Sequence, residues 1–224
     1  MPITFPSHQG LILPVVRRWP DRFDALALSV GAAMPDITDT VLGFLINGHF
    51  KQWYGHSLLG IFTLDLLGGL LITWLIAVLA TRFRYTDLPQ PRQTFFKKIF
   101  PNSDSAADRN RVLPRQNRLG LWSFSVLIGI LSHVGFDLIS HDKNLLFYPW
   151  YENIRWLPEW WYITWFELRA LRVIGHSYYV GIFTVSWSVL SIIGVYLFFR
   201  FLYPKRSKQE SKADEIRRAK RSTL

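Results

Sequence analysis

The stretch "LWSFSVLIGILSHVGFDLIS", residues 121–140, decides how this chain is read. At about 1.5 Å per helical residue it is about 30 Å long, enough to cross the hydrocarbon of a bilayer. A lone strand cannot satisfy its backbone in lipid, so the span is expected to be a helix. Yet it carries His133 and Asp137, and His141 stands just past its end. An ionisable side chain at membrane depth costs roughly 2.5–3.5 kcal/mol unless it is paired or solvated. On a helix each step of four residues drifts by only about 40°, so these three share one face. They are expected to point at a common partner.

Two further runs are long and apolar enough to span: "SLLGIFTLDLLGGLLITWLIAVLA" at 57–80 and "YYVGIFTVSWSVLSIIGVYLFFRFLY" at 178–203. Nearer the N-terminus, Ser7 can cap a short helix reaching to about Arg18, kinked or limited by Pro14. Residues 23–46 are apolar but interrupted by "GAAMPDITD", where Pro35 breaks or bends the helix. Two half-length helices meeting at a polar break are expected, as in membrane proteins that bind something at depth.

Charge placement sets the orientation. Residues 81–120 hold nine Lys/Arg against three acids and are expected to form a cytoplasmic loop; residues 204–224 hold eight against three, a basic cytoplasmic tail. Residues 141–177 hold four of each. Their Trp- and Tyr-rich "FYPWYENIRWLPEWWYITWF" is expected at the outer membrane interface as an aromatic belt. The reading is an all-α polytopic integral membrane bundle over 1–203. It has about four spans, a broken or re-entrant N-terminal helix pair and both termini cytoplasmic, in the inner membrane of a cell.

The net charge of +10 belongs to clusters that flank apolar spans, which the positive-inside rule explains without a nucleic-acid partner. Membrane lipids are the expected partners, and the tail is placed to touch anionic headgroups. The chain has no cysteine, which excludes disulfides and thiolate ligands. The opening "MPITFPSHQG" shows no basic or apolar leader pattern, so no secretory signal is expected there. "GHSLLGIFT" at 55 and "GHSYYVGIFT" at 175 echo each other across one inserted residue, a likeness that chance explains better than a decayed repeat.

Other polar residues fall at compatible depths. Counted along straight helices, His133 lies about 18 Å and Asp137 about 24 Å from Leu121, Asp36 about 21 Å beyond Arg22, and His8 about 13 Å from Arg17. His56 opens its helix from the same side. Imidazoles and carboxylates without thiols form a nitrogen and oxygen donor set suited to a divalent metal, zinc before iron or manganese. Zinc there would lower the pKa of a bound water towards neutrality and favour hydrolysis. Against this stands the ordinary reading of a buried His as a hydrogen-bonded core residue or a tie between helices. His49 and Asp39 are second choices as ligands and His176 a third. Asp65, nine residues beyond His56, is expected to face away from it and to serve as a contact between helices.

Together "FPSHQGLILP", "GAAMPDITD", "YGHSLLGIFTLDLLGGLL" and "LSHVGFDLISHD" resemble a prokaryotic membrane family, domain of unknown function 4184. That family in turn looks like bacterial inner-membrane proteins taken to be metal-dependent hydrolases. More remotely, the order of motifs is similar to zinc-dependent phospholipase C. The resemblance implies His8, Asp36, His56, His133 and Asp137 as metal ligands, with His141 the weakest match. The phospholipases' later His-x-x-x-Glu is missing after His141, so one or two metals are implied rather than three.

The expected function is metal-dependent hydrolysis of a lipid-borne ester or phosphoester, with Asp36 or His141 as general base. The competing expectation is a non-enzymatic membrane protein, a transporter or a partner-binding subunit. Its buried His and Asp would then relay protons or tie helices.

Overall fold

The computed structural model of the chain describes residues 4–47, 54–82, 116–141, 145–150, 155–173 and 176–203. His49, most of the expected cytoplasmic loop and the basic tail lie outside them. The described residues are mostly helical. Short helices α1 (Thr4–Ile12) and α2 (Pro14–Arg18) come first. Pro14 starts α2, where its missing N–H would be unpaired in any residue. Helices α3 (Ala25–Gly31) and α4 (Met34–Asn47) follow, bent by 42° at Ala32 and Ala33. The polar residues of "PDITD" therefore belong to the first turns of α4, and the break falls just before them.

The next span runs through α5 (Leu58–Gly60), a π-helical turn (Ile61–Asp65) and α6 (Leu66–Arg82). The long helix α7 (Gln116–Ser140) carries the stretch quoted at the outset. A 3-10 turn (Glu159–Tyr162) and strands β1 (Thr164–Val173) and β2 (His176–Gly181) then lead into α8 (Ile182–Leu202).

The strands depart from an all-α reading. They form an antiparallel hairpin in which Phe166 faces Val180 and Glu167 faces Tyr179. Tyr178, Tyr179 and Val180 are strand formers, so α8 starts at Ile182 rather than at residue 178. The echoed segments differ accordingly: His56 precedes a capped helix start, whereas His176 opens β2.

Three helical stretches are long and apolar enough to cross a membrane: Leu58–Ala80, Arg118–Ser140 and Ile182–Leu202. The bent pair makes a fourth if it is one span. At the centre Ala27, Met34, Ile61, Val126 and Ile130 pack from α3, α4, the π turn and α7. Glycine permits the tightest approach. A Cβ at Gly129 of α7 would collide with the Leu28 carbonyl and the Ala32 nitrogen, and one at Gly31 with the backbone of Val126. Small residues let helix backbones touch in this way. Asp24 caps α3, accepting the Ala27 N–H at 2.8 Å, and its own N–H reaches Ser125 of α7 at 2.9 Å.

At the other side α1 lies along α8. Gly10 abuts Gly194, Phe5 meets Phe198 edge-on at 5.7 Å, and Arg17 donates to the carbonyls of Arg200 (2.7 Å) and Phe201 (2.9 Å).

Gly129→Val should lower stability by roughly 1–3 kcal/mol, the usual effect of overpacking. Gly120→Ala, on the same helix with nothing within 4 Å of the new Cβ, should be neutral or stabilise by up to about 1 kcal/mol. Thermal unfolding in detergent ranks the two; equal midpoints would refute the close contact of α3 with α7.

Candidate metal centre

Four segments converge where α3 bends into α4. Helix α1 brings His8, α4 brings Asp36 and Asp39, the turn before α5 brings His56, and α7 brings His133 and Asp137, with His141 just past its end. The turn is closed by Ser57, whose hydroxyl donates to the Tyr54 carbonyl (2.6 Å) and accepts the Gly60 N–H (3.0 Å). A capped start of this kind fixes the residue beside it, and His56 is held inside, 3% exposed. His133 is fully buried and Asp137 nearly so.

The ring nitrogens can be assigned by their partners. His133 Nδ1 lies 2.8 Å from the Ala32 carbonyl, which can only accept, so Nδ1 carries the hydrogen. His56 Nδ1 donates to Asp39 Oδ2 at 2.7 Å, and Asp39 Oδ1 accepts the Gly55 N–H at 2.6 Å. A carboxylate or carbonyl behind a histidine is the usual support of a metal ligand, because it turns the other nitrogen's lone pair towards the ion. Here both Nε2 atoms face inward, 3.3 Å apart.

Two carboxylates complete the group. Asp137 Oδ2 is 3.0 Å from His56 Nε2 and 3.5 Å from His133 Nε2. Asp36 Oδ1 is 3.8 and 3.7 Å from the same two nitrogens. Tetrahedral zinc with ligand bonds of about 2.0–2.1 Å separates its ligands by about 3.3–3.4 Å, so His56 Nε2, His133 Nε2 and Asp137 Oδ2 are spaced for one ion, with Asp36 Oδ1 slightly farther from the two nitrogens.

His8 extends the cluster. Its ring stacks on His133 at 4.2 Å, and its Nε2 is 3.9 Å from Asp137 Oδ1. Two triads could therefore hold a metal, His8–His133–Asp137 and Asp36–His56–His133, each with its donor atoms within 4.8 Å of one another. His133 has one inward nitrogen and can serve one ion at a time. Asp137 turns Oδ2 to His56 and Oδ1 to His8 and to His141 Nδ1, the last at 3.5 Å. His8 Nδ1 and Asp36 Oδ2 are buried without a hydrogen-bond partner among the described residues.

Two of the histidines lie outside the spanning segments and are perturbed in opposite directions. Burial, then the neighbouring His133, lowers the pKa of His8 from 6.5 to about 3, leaving a neutral imidazole. Burial also pushes His56 down, but hydrogen bonds to Asp137 and then Asp39 outweigh it and raise the pKa to about 10. Without a cation, His56 therefore holds a proton at the nitrogen a cation would take.

All five ligands implied by the resemblance thus meet in one cluster. His141 stands at its edge, side chain 31% exposed, with Nδ1 3.0 Å from the Ser140 hydroxyl. Asp39, a second choice as ligand, instead supports His56 from behind. Asp65 is a contact between helices, as expected. It is fully buried and accepts the Thr38 hydroxyl of α4 at 2.5 Å. The side chain of His176 is outside what the structure describes.

Fold and site together define a helical protein with membrane-spanning character and a buried His/Asp cluster able to hold a metal ion. The chain belongs to the family described as a domain of unknown function, DUF4184, whose model matches residues 1–221. No curated protein and no solved structure matches it. The remoter resemblance to metal-dependent hydrolases and phospholipase C therefore gains nothing from these comparisons.

Asp39→Asn should leave the helices intact and weaken metal binding roughly 10–100-fold, as loss of a partner behind a ligand usually does. Competition with a chromophoric chelator measures this; an unchanged affinity would remove Asp39 from the centre.

Proposed function

We propose that the cluster binds a divalent cation, zinc by its donor set, and that the protein is a membrane hydrolase acting on a lipid-borne ester or phosphoester. One observation carries the reading: two inward lone-pair nitrogens, each fixed from behind, stand 3.3 Å apart beside a carboxylate oxygen. Such a group needs a shared cation or a proton. His56, His133, Asp137 and Asp36 would hold the ion, with His8 adding a further donor on the side of Asp137 Oδ1. Bound there, the cation would supply Lewis acidity and a water of near-neutral pKa.

The remaining chemistry falls to the chain. His141, on the exposed edge, takes the proton of the attacking water as general base. The ester or phosphoester bond breaks, and the departing alcohol receives that proton. Asp36 fits the base role less well, since Oδ1 already stands at ligand distance from both histidines. Partial exposure of His141 at the end of α7 would let a headgroup arriving sideways from the bilayer reach the edge of the cluster, which supports a lipid substrate. Four crossings with both termini cytoplasmic, in the inner membrane, complete the proposal.

The competing reading, buried His and Asp as proton relay or helix tie, draws support from His56. Paired with Asp137 and Asp39, its proton satisfies the cluster without metal. The two readings separate cleanly. Protein purified in detergent should contain one to two equivalents of divalent metal by elemental analysis. Chelator should lower its unfolding temperature, since a ligand at about a hundredfold excess over its Kd stabilises by about 2.7 kcal/mol. His133→Ala should lose the metal and keep its helical circular dichroism, and His141→Ala should keep the metal and lose lipid hydrolysis. Metal-free wild type, indifferent to chelator, would leave only the relay or helix tie.

Orientation has its own check, because a chain without cysteine makes any introduced thiol unique. An impermeant thiol reagent should label Trp160→Cys in intact cells and Ser207→Cys only after permeabilisation. The reverse pattern would invert the topology.

A further inference from the structure

Asp65 is the buried acid that the proposed hydrolysis leaves unused. It lies within the span Leu58–Ala80 and is fully buried. A carboxyl at that depth is costly unless something compensates. Thr38 donates its hydroxyl to Oδ1, while Oδ2 is buried with no hydrogen-bond partner among the described residues. For a mere tie between helices that is a poor return.

Thr38 has telling neighbours. Asp36 stands two residues before it and Asp39 one residue after, all in the first turns of α4. Asp39 ties that helix to Gly55 and His56. Thr38 projects about 100° away around the helix and ties it to the π turn. Two ties in different directions fix both the rotation and the tilt of α4, and hence where Asp36 Oδ1 sits. The π turn is part of the device: the Leu66 N–H reaches the Ile61 carbonyl, and both Ile61 and Asp65 end fully buried. Turns of this type are frequent at functional sites.

The geometry assigns Asp65, acting through the Thr38 hydroxyl, as a positioning residue that holds Asp36 at ligand distance from His56 and His133. This role rests on the metal-centre reading given above.

Cobalt(II) serves as the probe, titrated into the full chain in detergent and followed by its visible absorption. Thr38→Val, nearly isosteric, should weaken cobalt binding roughly tenfold or more and shift the absorption bands. Thr38→Ser, which keeps the hydroxyl, should restore both. Asp65→Leu should weaken binding in the same way while its unfolding temperature holds or rises, since a buried acid has been replaced by an apolar side chain. That combination separates positioning from stability. Wild-type affinity and spectrum in Thr38→Val overturn the role of Asp65 and leave the centre standing. A wild-type chain that takes up no cobalt overturns the centre and this role together.

Discussion

The arrangement depends on the contact of α3 with α7. Gly31 and Gly129 allow the two backbones to touch, and the touch delivers the Ala32 carbonyl to His133 Nδ1, one helical turn beyond Gly129. That single hydrogen bond decides which nitrogen of His133 faces the cluster. It also places the bend of α3 into α4 beside α7, so that the first turn of α4 begins at the site. Had a side chain stood at 129, the helices would part, the carbonyl would withdraw, and His133 would lose the partner that fixes its tautomer.

From that contact the cluster is built by reciprocal constraint. Each inward nitrogen is backed by an acceptor behind it, Asp39 for His56 and a main-chain carbonyl for His133. Asp36 and Asp137 are each reached from more than one element. Buried charge is tolerated only when paired and hydrogen-bonded, and here the pairing crosses α1, α4, the 54–57 turn and α7. The aliphatic core of Ile61, Val126 and Ile130 lies immediately beside it and keeps water from replacing those partners.

Much of this was legible before any coordinates. The four-residue spacing of His133, Asp137 and His141 announces a shared face, and the structure puts all three at one cluster. Pro35 and the polar residues around it announce the bent helix pair, although the bend itself falls at Ala32 and Ala33. Other features left no readable mark. A main-chain carbonyl such as that of Ala32 is present at every residue, so its role depends wholly on where the bend falls. Asp36 and Asp39 share a helix face, and choosing ligand from supporter requires His56 to be in place. The π turn adds no signal to an unbroken apolar run. The hairpin was readable in part: Glu167 and Arg169 alternate with apolar neighbours at strand period, but the surrounding Trp and Tyr residues suit an interfacial loop equally well.

The α1–α8 contact carries a consequence for biosynthesis. His8 precedes the other donors in the chain, yet its helix rests on Gly194 and Phe198 of α8, which are made after all of them. The earliest donor must therefore wait, unseated, while every intervening segment is inserted. The nascent protein cannot close its cluster until α8 arrives, so a chain that stops short of α8 carries the other donors without the one that stacks over them.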